Sequence, residues 1–418
     1  MAAGVALAPA WGLIPAAADG PFDGSWTPHH HEAANPLDSR DWWLYVPNGL
    51  PDTPVPLVVY LHGCNQTAQD AAVGVRWNEL ADAEKFVVAY PEQRDPNEME
   101  PGPDQGEAQL FGGNGSRCWN WFRPEQLSRE SGEPSTIAAI TRTVMQQQHI
   151  DPERVYLSGI SAGGAMASVM GATHPDLYAA IAVLAGCGYR ACGDTAGTAA
   201  FAAMGEHARP LPGVIVHGTT DAVAPLPMGF QALEQWRATN DLVDDRVAND
   251  SVPRTPAATQ HVGADVAVVE GIGQVGDPCV RANSLPCLGG VVGLDEYPHT
   301  IDTWKDARGC ELLQFWRLHG LGHAYSGGDP RGSFVDPLGP GETPIAWQFF
   351  QRHRRSGPTR NACEVGAGED DPDGTGQVEH RDDARPFLPE TGAGATTVGV
   401  VLLGLAVFSL RRRTVRVT

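Results

Sequence analysis

The chain has 418 residues, of which 42% are hydrophobic, so it can bury a full core and is not compositionally disordered. Its 50 acidic residues outnumber its 29 basic ones, giving a formal net charge of −21. This balance argues against nucleic acid as a partner, because nucleic-acid binding needs a basic surface. It also favours a neutral substrate over an anionic one.

The first residues have the pattern of an export signal. Residues 1–18 are apolar and end in three alanines, which is typical of a signal-peptide cleavage site. The positively charged start of such a peptide is missing, and a start codon further upstream would explain this. The alternative is that the segment is no signal peptide. Residues 19–39 are interpreted as a lead-in to the folded domain.

The C-terminal part of the sequence has the pattern of a second targeting signal. Leu388–Gly392 reads LPETG and is followed by an apolar run to Leu410 and three arginines. This resembles a cell-wall sorting signal, which implies that sortase cleaves between Thr391 and Gly392 and joins Thr391 to peptidoglycan. The run is long enough for a transmembrane helix, so an ordinary membrane anchor is the alternative. Residues 356–387, rich in Gly, Asp, Glu and Pro, predict a disordered acidic stalk.

Residues 40–355 alternate strand-like and helix-like segments, which predicts an α/β fold with a mostly parallel central sheet and helices on both faces. The predicted strands are 42–46, 56–61, 86–90, 154–158, 180–184, 213–217 and 312–318. The predicted helices are 135–148, 164–174 and 343–354. The segment 241–309 is rich in Pro, Gly and Asp, and we expect it to form loops near the cleft.

A candidate nucleophile follows the strand at 154–158. Ser161 is the centre of Gly159–Gly163, the GxSxG of this chain, and a helical stretch follows it. A serine exposed on a tight strand-to-helix turn needs glycines beside it, because side chains there would clash. The pattern alone could be accidental in a chain with 49 glycines, but its position between a strand and a helix favours a nucleophile.

An acid and a base follow in the order Ser, Asp, His that this type of turn predicts. Asp221 comes after the strand at 213–217, where a carboxylate can orient a histidine; the alternative is an Asp that caps a turn. His323 lies in a glycine-rich loop after the last strand, from which an imidazole could reach Ser161. His319 is the competitor, and we interpret it as structural.

Ester hydrolysis also needs donors for the negatively charged oxygen of the tetrahedral intermediate. Two backbone N–H groups fill this role in such folds. We predict Ala162, directly after the nucleophile, and Cys64, in the loop after an early strand. These groups need no cofactor and no metal.

The eight cysteines fit an oxidised, exported protein. Two pairs are close in sequence, and long-range bridges would use the other four. This suggests Cys187–Cys192, Cys279–Cys287, Cys64–Cys118 and Cys310–Cys363, although other pairings stay open. A zinc site is the rival interpretation, but no CxxC pair supports it.

Six motifs in order resemble the esterases of the polyhydroxybutyrate depolymerase family, over about residues 40 to 355. They are His62–Gln66, Tyr90–Gln93, Cys118–Phe122, Gly159–Gly163, His217–Asp221 and Gly320–Gly328. The resemblance implies an extracellular α/β-hydrolase that cleaves esters through an acyl-serine intermediate. Ser161, Asp221 and His323 would be its triad, and Cys64 an oxyanion donor.

The family implies several ester substrates: short-chain polyhydroxyalkanoates, feruloyl esters or acetylated xylan. We expect a polyester or oligoester, with a plant cell-wall esterase as the rival and a non-catalytic surface-binding protein as a weaker alternative. Trp119 and Trp121 match a motif that would line the acyl cleft; the alternative is core packing. A stalk and anchor stand where polymer-attacking members carry a binding domain, which favours substrates that reach the cell surface.

Overall fold

A ten-stranded sheet organises residues 22–94, 116–263 and 296–363, which are the residues described by the computed structural model. In chain order its strands are β1 (Ser25–His31), β2 (Arg40–Val46), β3 (Val55–Leu61), β4 (Val87–Pro91), β5 (Ile150–Ile160), β6 (Ala180–Leu184), β7 (Gly213–Gly218), β8 (Ala258–Val262), β9 (His299–Lys305) and β10 (Glu311–Leu318). Their spatial order is β1-β2-β4-β3-β5-β6-β7-β10-β9-β8.

The centre of the sheet is parallel. Strands β4, β3, β5, β6, β7 and β10 run in one direction, and antiparallel strands flank them on both sides. Every residue of β3, β4, β6 and β7 is buried. Strands covered on both faces need apolar residues at consecutive positions, and this is why the apolar runs identified them in the sequence.

Helices cover both faces. They are α1 (Ala68–Val75), α2 (Trp77–Glu84), α3 (Gly132–Gln147), α4 (Ala162–Thr173), α5 (Thr198–Met204), α6 (Leu226–Asp245) and α7 (Glu342–Gln351). One apolar cluster contains residues of α3, α4, α5 and α6, and a second contains residues of α1, α2 and α7. The sheet separates the two clusters, so the predicted α/β architecture is confirmed.

The parallel strands end at one edge of the sheet. The loops that follow β3, β5, β7 and β10 therefore meet there, although they are far apart in sequence. These four loops carry the predicted oxyanion donor Cys64, the nucleophile Ser161, the acid Asp221 and the base His323.

Three predictions about the domain's extent need correction. The segment 241–309 is not all loop: β8 and β9 add two antiparallel strands to the sheet beyond β10, and α6 continues to Asp245. Its Pro, Gly and Asp content masked the β-branched pattern of β9. The lead-in contains β1, which pairs with β2, so the folded domain begins before Arg40. It also extends past the predicted end at 355, because Ser356 bonds to Glu153.

The predicted signal peptide, most of the predicted stalk and the sorting signal lie outside the described residues. Residues 264–295, within the segment that we expected to form loops, also lie outside them. Within the described ranges, no helix combines the length and apolarity needed to cross a bilayer. The apolar run before Leu410 is not among them.

Candidate active site

The backbone of the turn at Ser161 is fixed by close contacts of its glycines. Ser161 has φ 57° and ψ −121°, and its N–H donates to the carbonyl of Leu184 at 2.9 Å. A Cβ on Gly159 would lie 2.5 Å from the carbonyl oxygen of Gly163, and one on Gly163 would overlap the carbonyl oxygen of Leu61. The glycines of the motif are therefore required by contacts between backbones.

The structure brings the three predicted side chains together. His323 Nε2 lies 3.0 Å from the hydroxyl oxygen of Ser161, and Nδ1 lies 2.7 Å from Oδ2 of Asp221. A proton on Nδ1 would be donated to the carboxylate, which leaves Nε2 free to accept the serine proton. Asp221 is buried, and its Oδ1 accepts the N–H groups of Val223 at 2.9 Å and Ala224 at 2.8 Å.

Two buried titratable neighbours of this carboxylate have pKa values shifted in the direction that favours their neutral forms. Burial lowers the pKa of His217, whose Nε2–H donates to the carbonyl of Ala224 at 2.6 Å. Burial raises the pKa of Glu342 well above its usual value, with Asp221 adding to the rise. Glu342 accepts the N–H of Ser326 at 3.2 Å, three residues beyond His323. The sequence did not predict that His217 and Glu342 form part of the surroundings of Asp221.

The loop after β3 is held by its own side chains. His62 Nδ1–H donates to the carbonyl of Gly63 at 2.7 Å, and Nε2 accepts the N–H of Gln93 at 3.0 Å. Burial lowers the pKa of His62 to about 4, so the ring is neutral and can make both bonds. The N–H of Gly63 donates to Oε1 of Gln66 at 2.8 Å.

The amides of Cys64 and Ala162 are available for an oxyanion. Among the described residues, neither N–H has a hydrogen-bond acceptor. Ala162 is the first residue of α4, and the N-terminus of a helix carries a partial positive charge that favours an anion. Cys64 lies in the loop after β3 and Ala162 directly follows half-buried Ser161, and both positions are at the edge of the sheet where the parallel strands end.

Three of the predicted disulfides are formed. Cys64 is bridged to Cys118, with the two Cα atoms 4.2 Å apart, so the predicted oxyanion loop is tied covalently to the tryptophan motif. Cys187–Cys192 and Cys310–Cys363 are also present. Cys279 and Cys287 lie outside the described residues.

The two tryptophans that we predicted to line the cleft have different environments. Trp119 is fully buried, and its indole N–H donates to the carbonyl of His62 at 3.1 Å. It therefore supports the oxyanion loop from within the core, which matches the alternative of core packing. Trp121 is half-buried and its ring makes an edge contact with Phe122, which is exposed.

A buried carboxylate connects several of the sequence motifs. Glu133, at the start of α3, accepts hydrogen bonds from the side-chain amide of Gln93 and from both the backbone N–H and the side-chain amide of Asn120. It also forms an ion pair with buried Arg40. Gln93 in turn donates to His62. That these motifs meet at Glu133 has no signal in the sequence, since no local pattern links residues 40, 93, 120 and 133.

His319 is not part of the triad. Its Nε2 lies 2.8 Å from the hydroxyl of Thr300 on β9, and burial lowers the pKa of its ring. Its backbone N–H donates to Pro298. These contacts match the structural role that we expected for it.

Together these groups are suited to acyl transfer. A hydroxyl, a base that can take its proton and a carboxylate that orients the base stand in line. Such an arrangement can form and break an ester through a covalent acyl-serine.

Comparison with known proteins also indicates an esterase. Residues 40–222 match the family model described as Esterase PHB depolymerase. The resemblance drawn from the motifs is thereby supported over this part of the chain, which includes Ser161 and Asp221. His323 lies beyond it.

Two relatives extend the match. The poly(3-hydroxyalkanoate) depolymerase C of Paucimonas lemoignei is 30% identical over 301 residues, which are 70% of this chain and 58% of that protein. The feruloyl esterase B of Neurospora crassa is 28% identical over 256 residues, 56% of this chain and 80% of that protein. The chain thus spans less than two thirds of the first of these relatives.

The solved structure of the acetyl xylan esterase from Aspergillus awamori has a TM-score of 0.52 with 19% identity. The alignment covers 78% of this chain and 99% of that one. This likeness confirms the α/β-hydrolase fold and carries no further argument.

Proposed function

We propose that this protein is an extracellular serine carboxylesterase that hydrolyses its substrate through an acyl-serine intermediate. The observation that carries the proposal is the line of hydrogen bonds from Ser161 through His323 to buried Asp221, at 3.0 and 2.7 Å. His323 takes the proton of Ser161 as the hydroxyl oxygen attacks the ester carbonyl. The amides of Cys64 and Ala162 donate to the oxygen that becomes negative.

The first half ends when His323 gives that proton to the leaving alkoxide, which departs as the alcohol and leaves the acyl-serine. In the second half, His323 accepts a proton from water as the water oxygen attacks the acyl-serine. It then returns this proton to the Ser161 oxygen as the bond to the acyl group breaks and the acid is released. The carboxylate of Asp221 stabilises the imidazolium in both halves. Burial lowers the pKa of His217, so this second ring near Asp221 stays neutral at neutral pH.

The substrate that we propose is a short-chain polyhydroxyalkanoate such as poly-3-hydroxybutyrate. Its support is the match of residues 40–222 and the relative from Paucimonas lemoignei. The net charge of −21 agrees with a neutral polyester. A feruloyl or acetylxylan esterase is the second candidate, favoured by the relative from Neurospora crassa, which this chain covers more completely.

The test is a substrate panel on the purified domain with a matched pair of serine variants. Ser161→Ala should lower kcat about a thousandfold or more, because the nucleophile is lost. Ser158→Ala is the control: its hydroxyl is buried on β5, the strand that leads to Ser161, and has no partner within the described residues, so activity should be unchanged. Full activity of Ser161→Ala would refute the nucleophile.

The same panel separates the substrates. Release of 3-hydroxybutyrate from polymer supports the depolymerase. Release of ferulate or acetate from plant xylan, with none from the polyester, supports the second candidate.

We further propose that the protein is secreted and joined to peptidoglycan at Thr391, after cleavage before Gly392. The support is the order of LPETG, apolar run and arginines in the sequence. Muramidase digestion of whole cells should release the esterase with peptidoglycan fragments attached. Replacing Thr391 and Gly392 by alanines should instead leave it unattached to the wall; wall attachment of that variant would contradict the proposal.

A further inference from the structure

Phe334 has a backbone conformation that its side chain disfavours. Its φ is 55°, in the left-handed region, where the Cβ of a bulky residue is crowded by the backbone. Twelve non-glycine residues of the described ranges have positive φ, and Phe334 is the aromatic one among them. Ser161 is another, and it owes that conformation to its function.

The contacts on both sides of Phe334 enforce this conformation. Ser333 donates its N–H to Asp70 at 3.0 Å, and its carbonyl accepts the side-chain N–H of Gln66 at 2.9 Å. The carbonyl of Phe334 accepts the N–H of Tyr325 at 2.8 Å. Strained backbone conformations that the surrounding hydrogen bonds hold in place are found most often at functional sites.

These same contacts locate Phe334 at the active-site edge. Tyr325 is two residues beyond His323, and Gln66 holds the N–H of Gly63, next to the proposed oxyanion donor Cys64. The backbone of Ser333 and Phe334 is therefore bonded to both loops, Ser333 to Gln66 and Phe334 to Tyr325. Phe334 is not part of the core, since 47% of the residue is exposed.

Other exposed apolar side chains lie on the segments that form the site. Val223, 72% exposed, is two residues from Asp221 and donates its N–H to that carboxylate. Phe122, 46% exposed, is four residues from Cys118, which is bridged to Cys64. Exposed apolar side chains on segments that carry the proposed catalytic groups are suited to contact an apolar ligand.

From these observations we propose that Phe334 is a specificity-determining residue that contacts the apolar part of the ester beyond the scissile bond. The ring is presented to substrate at the expense of local backbone stability. It selects large apolar esters, including the chain of a polyester, over small ones. The proposal rests on the esterase activity proposed above but not on polyester as the substrate.

The test compares Phe334→Asn with Val247→Asn in the full chain. Asparagine tolerates the left-handed region, so the first change removes the ring and relieves the strain. Val247 is also exposed, at 53%, but follows the far end of the 20-residue helix α6, roughly 30 Å from its start near Asp221. The substrates are ethyl acetate, p-nitrophenyl octanoate and a 3-hydroxybutyrate trimer.

For Phe334→Asn we expect a raised Tm together with a loss of about tenfold in kcat/KM for p-nitrophenyl octanoate, mainly through KM. Turnover of ethyl acetate should stay within about twofold of wild type, and Val247→Asn should change neither substrate. An unchanged octanoate rate overturns the proposal. So does an equal loss on both substrates with a lowered Tm, because that is the signature of a structural role.

The trimer separates this proposal from that of polyester hydrolysis. If the wild-type protein cleaves p-nitrophenyl octanoate but not the trimer, the proposal of a polyester substrate fails. The comparison of ethyl acetate with p-nitrophenyl octanoate still decides the role of Phe334. If the wild-type protein cleaves both the octanoate and the trimer, the loss in Phe334→Asn should appear on the trimer as well.

Discussion

Two loops at the same edge of the sheet supply the proposed catalytic groups, and they are fixed in different ways. The turn at Ser161 is fixed by contacts between backbones, which only glycine at 159 and 163 permits. The loop at 62–66 is fixed by its own side chains and a disulfide. His62 and Gln66 bond to the backbone of Gln93 and Ser333, and Cys64 is bridged to Cys118.

The difference predicts how each loop fails. A turn determined by backbone contacts tolerates changes around it but not within it, because no side chain can move to relieve an overlap. A loop held by several separate bonds loses its geometry stepwise as those bonds are removed. The following four predictions test this contrast.

The largest effect is expected for Gly163→Ala. Its Cβ would overlap the carbonyl oxygen of Leu61, a backbone atom in the centre of the sheet. We expect a loss of about 4 kcal/mol or more in the free energy of unfolding, and esterase activity at background. Thermal unfolding and p-nitrophenyl acetate turnover measure both.

Gly213→Ala is the matched control for that change. Gly213, the first residue of β7, is likewise buried, but a Cβ there would meet its nearest atom at 3.5 Å, an ordinary contact. Its Tm should stay within about 2 °C of wild type. Wild-type stability in Gly163→Ala would contradict the idea that backbone contacts fix the turn.

The next effect is expected for the double change Cys64→Ser and Cys118→Ser. The bridge closes a loop with a sequence separation of 54, so its loss should lower stability by about 4 kcal/mol. Because the amide of Cys64 is no longer held, kcat should fall about tenfold with little change in KM.

The control is Cys187→Ser with Cys192→Ser, where the separation is 5 and the expected loss is about 2 kcal/mol. Here kcat should not change. An unaltered kcat in the Cys64 and Cys118 variant at a temperature where it is folded would show that the bridge does not position the amide.

Acid should weaken the oxyanion loop. Burial lowers the pKa of His62 to about 4 from an ordinary value of 6.5, so between these pH values the unfolded chain binds a proton that the folded chain does not. Stability is therefore full above pH 6.5 and falls as pH drops, by about 3 kcal/mol at pH 4 from this residue. Denaturant unfolding as a function of pH measures the slope.

His62→Gln gives the comparison for that slope. The variant should be less stable at pH 7, since it loses either the bond that His62 donates to the Gly63 carbonyl or the bond that it accepts from Gln93. Its stability should fall less steeply toward pH 4. His174, whose pKa burial lowers to about 3, remains as a second source of acid sensitivity in both proteins. Equal slopes in the two proteins would mean that His62 is not the group responsible.

The smallest effect is expected for Gln66→Ala. The change leaves the buried N–H of Gly63 without its acceptor and removes the link to Ser333. We expect a loss of about 2 kcal/mol in stability and a fall of about fivefold in kcat/KM. Gln66→Glu keeps an acceptor for the N–H of Gly63 but loses the donor to Ser333, so it should retain more activity than Gln66→Ala. Equal activities of the two variants would mean that the loss comes from the bond to Ser333 alone.

Much of the fold followed from the sequence because its signals are local. The apolar runs at 56–61 and 213–217 mark buried parallel strands, and the alternation of strand and helix predicts the layered sheet. Strand β9 was missed because its alternating residues lie within a segment whose average composition is that of a loop. Strand β1, with three histidines, has no apolar run to identify it.

The same distinction applies to the site. The order Ser161, Asp221, His323 follows from motifs, each of which needs only a few neighbouring residues. The support given by Glu133 and His217, and the strained position of Phe334, have no local signal. They arise from hydrogen bonds between residues that the fold brings together.

By itself, therefore, the sequence determined which segments are buried, where glycine is required and which side chains could form a triad. Each of these depends on backbone conformation or on apolar periodicity within a few residues. The tertiary structure decided that imidazole, carboxylate and hydroxyl lie within hydrogen-bond distance, and which side chains hold the oxyanion loop. Those distances depend on packing between distant parts of the chain, which only the folded sheet fixes.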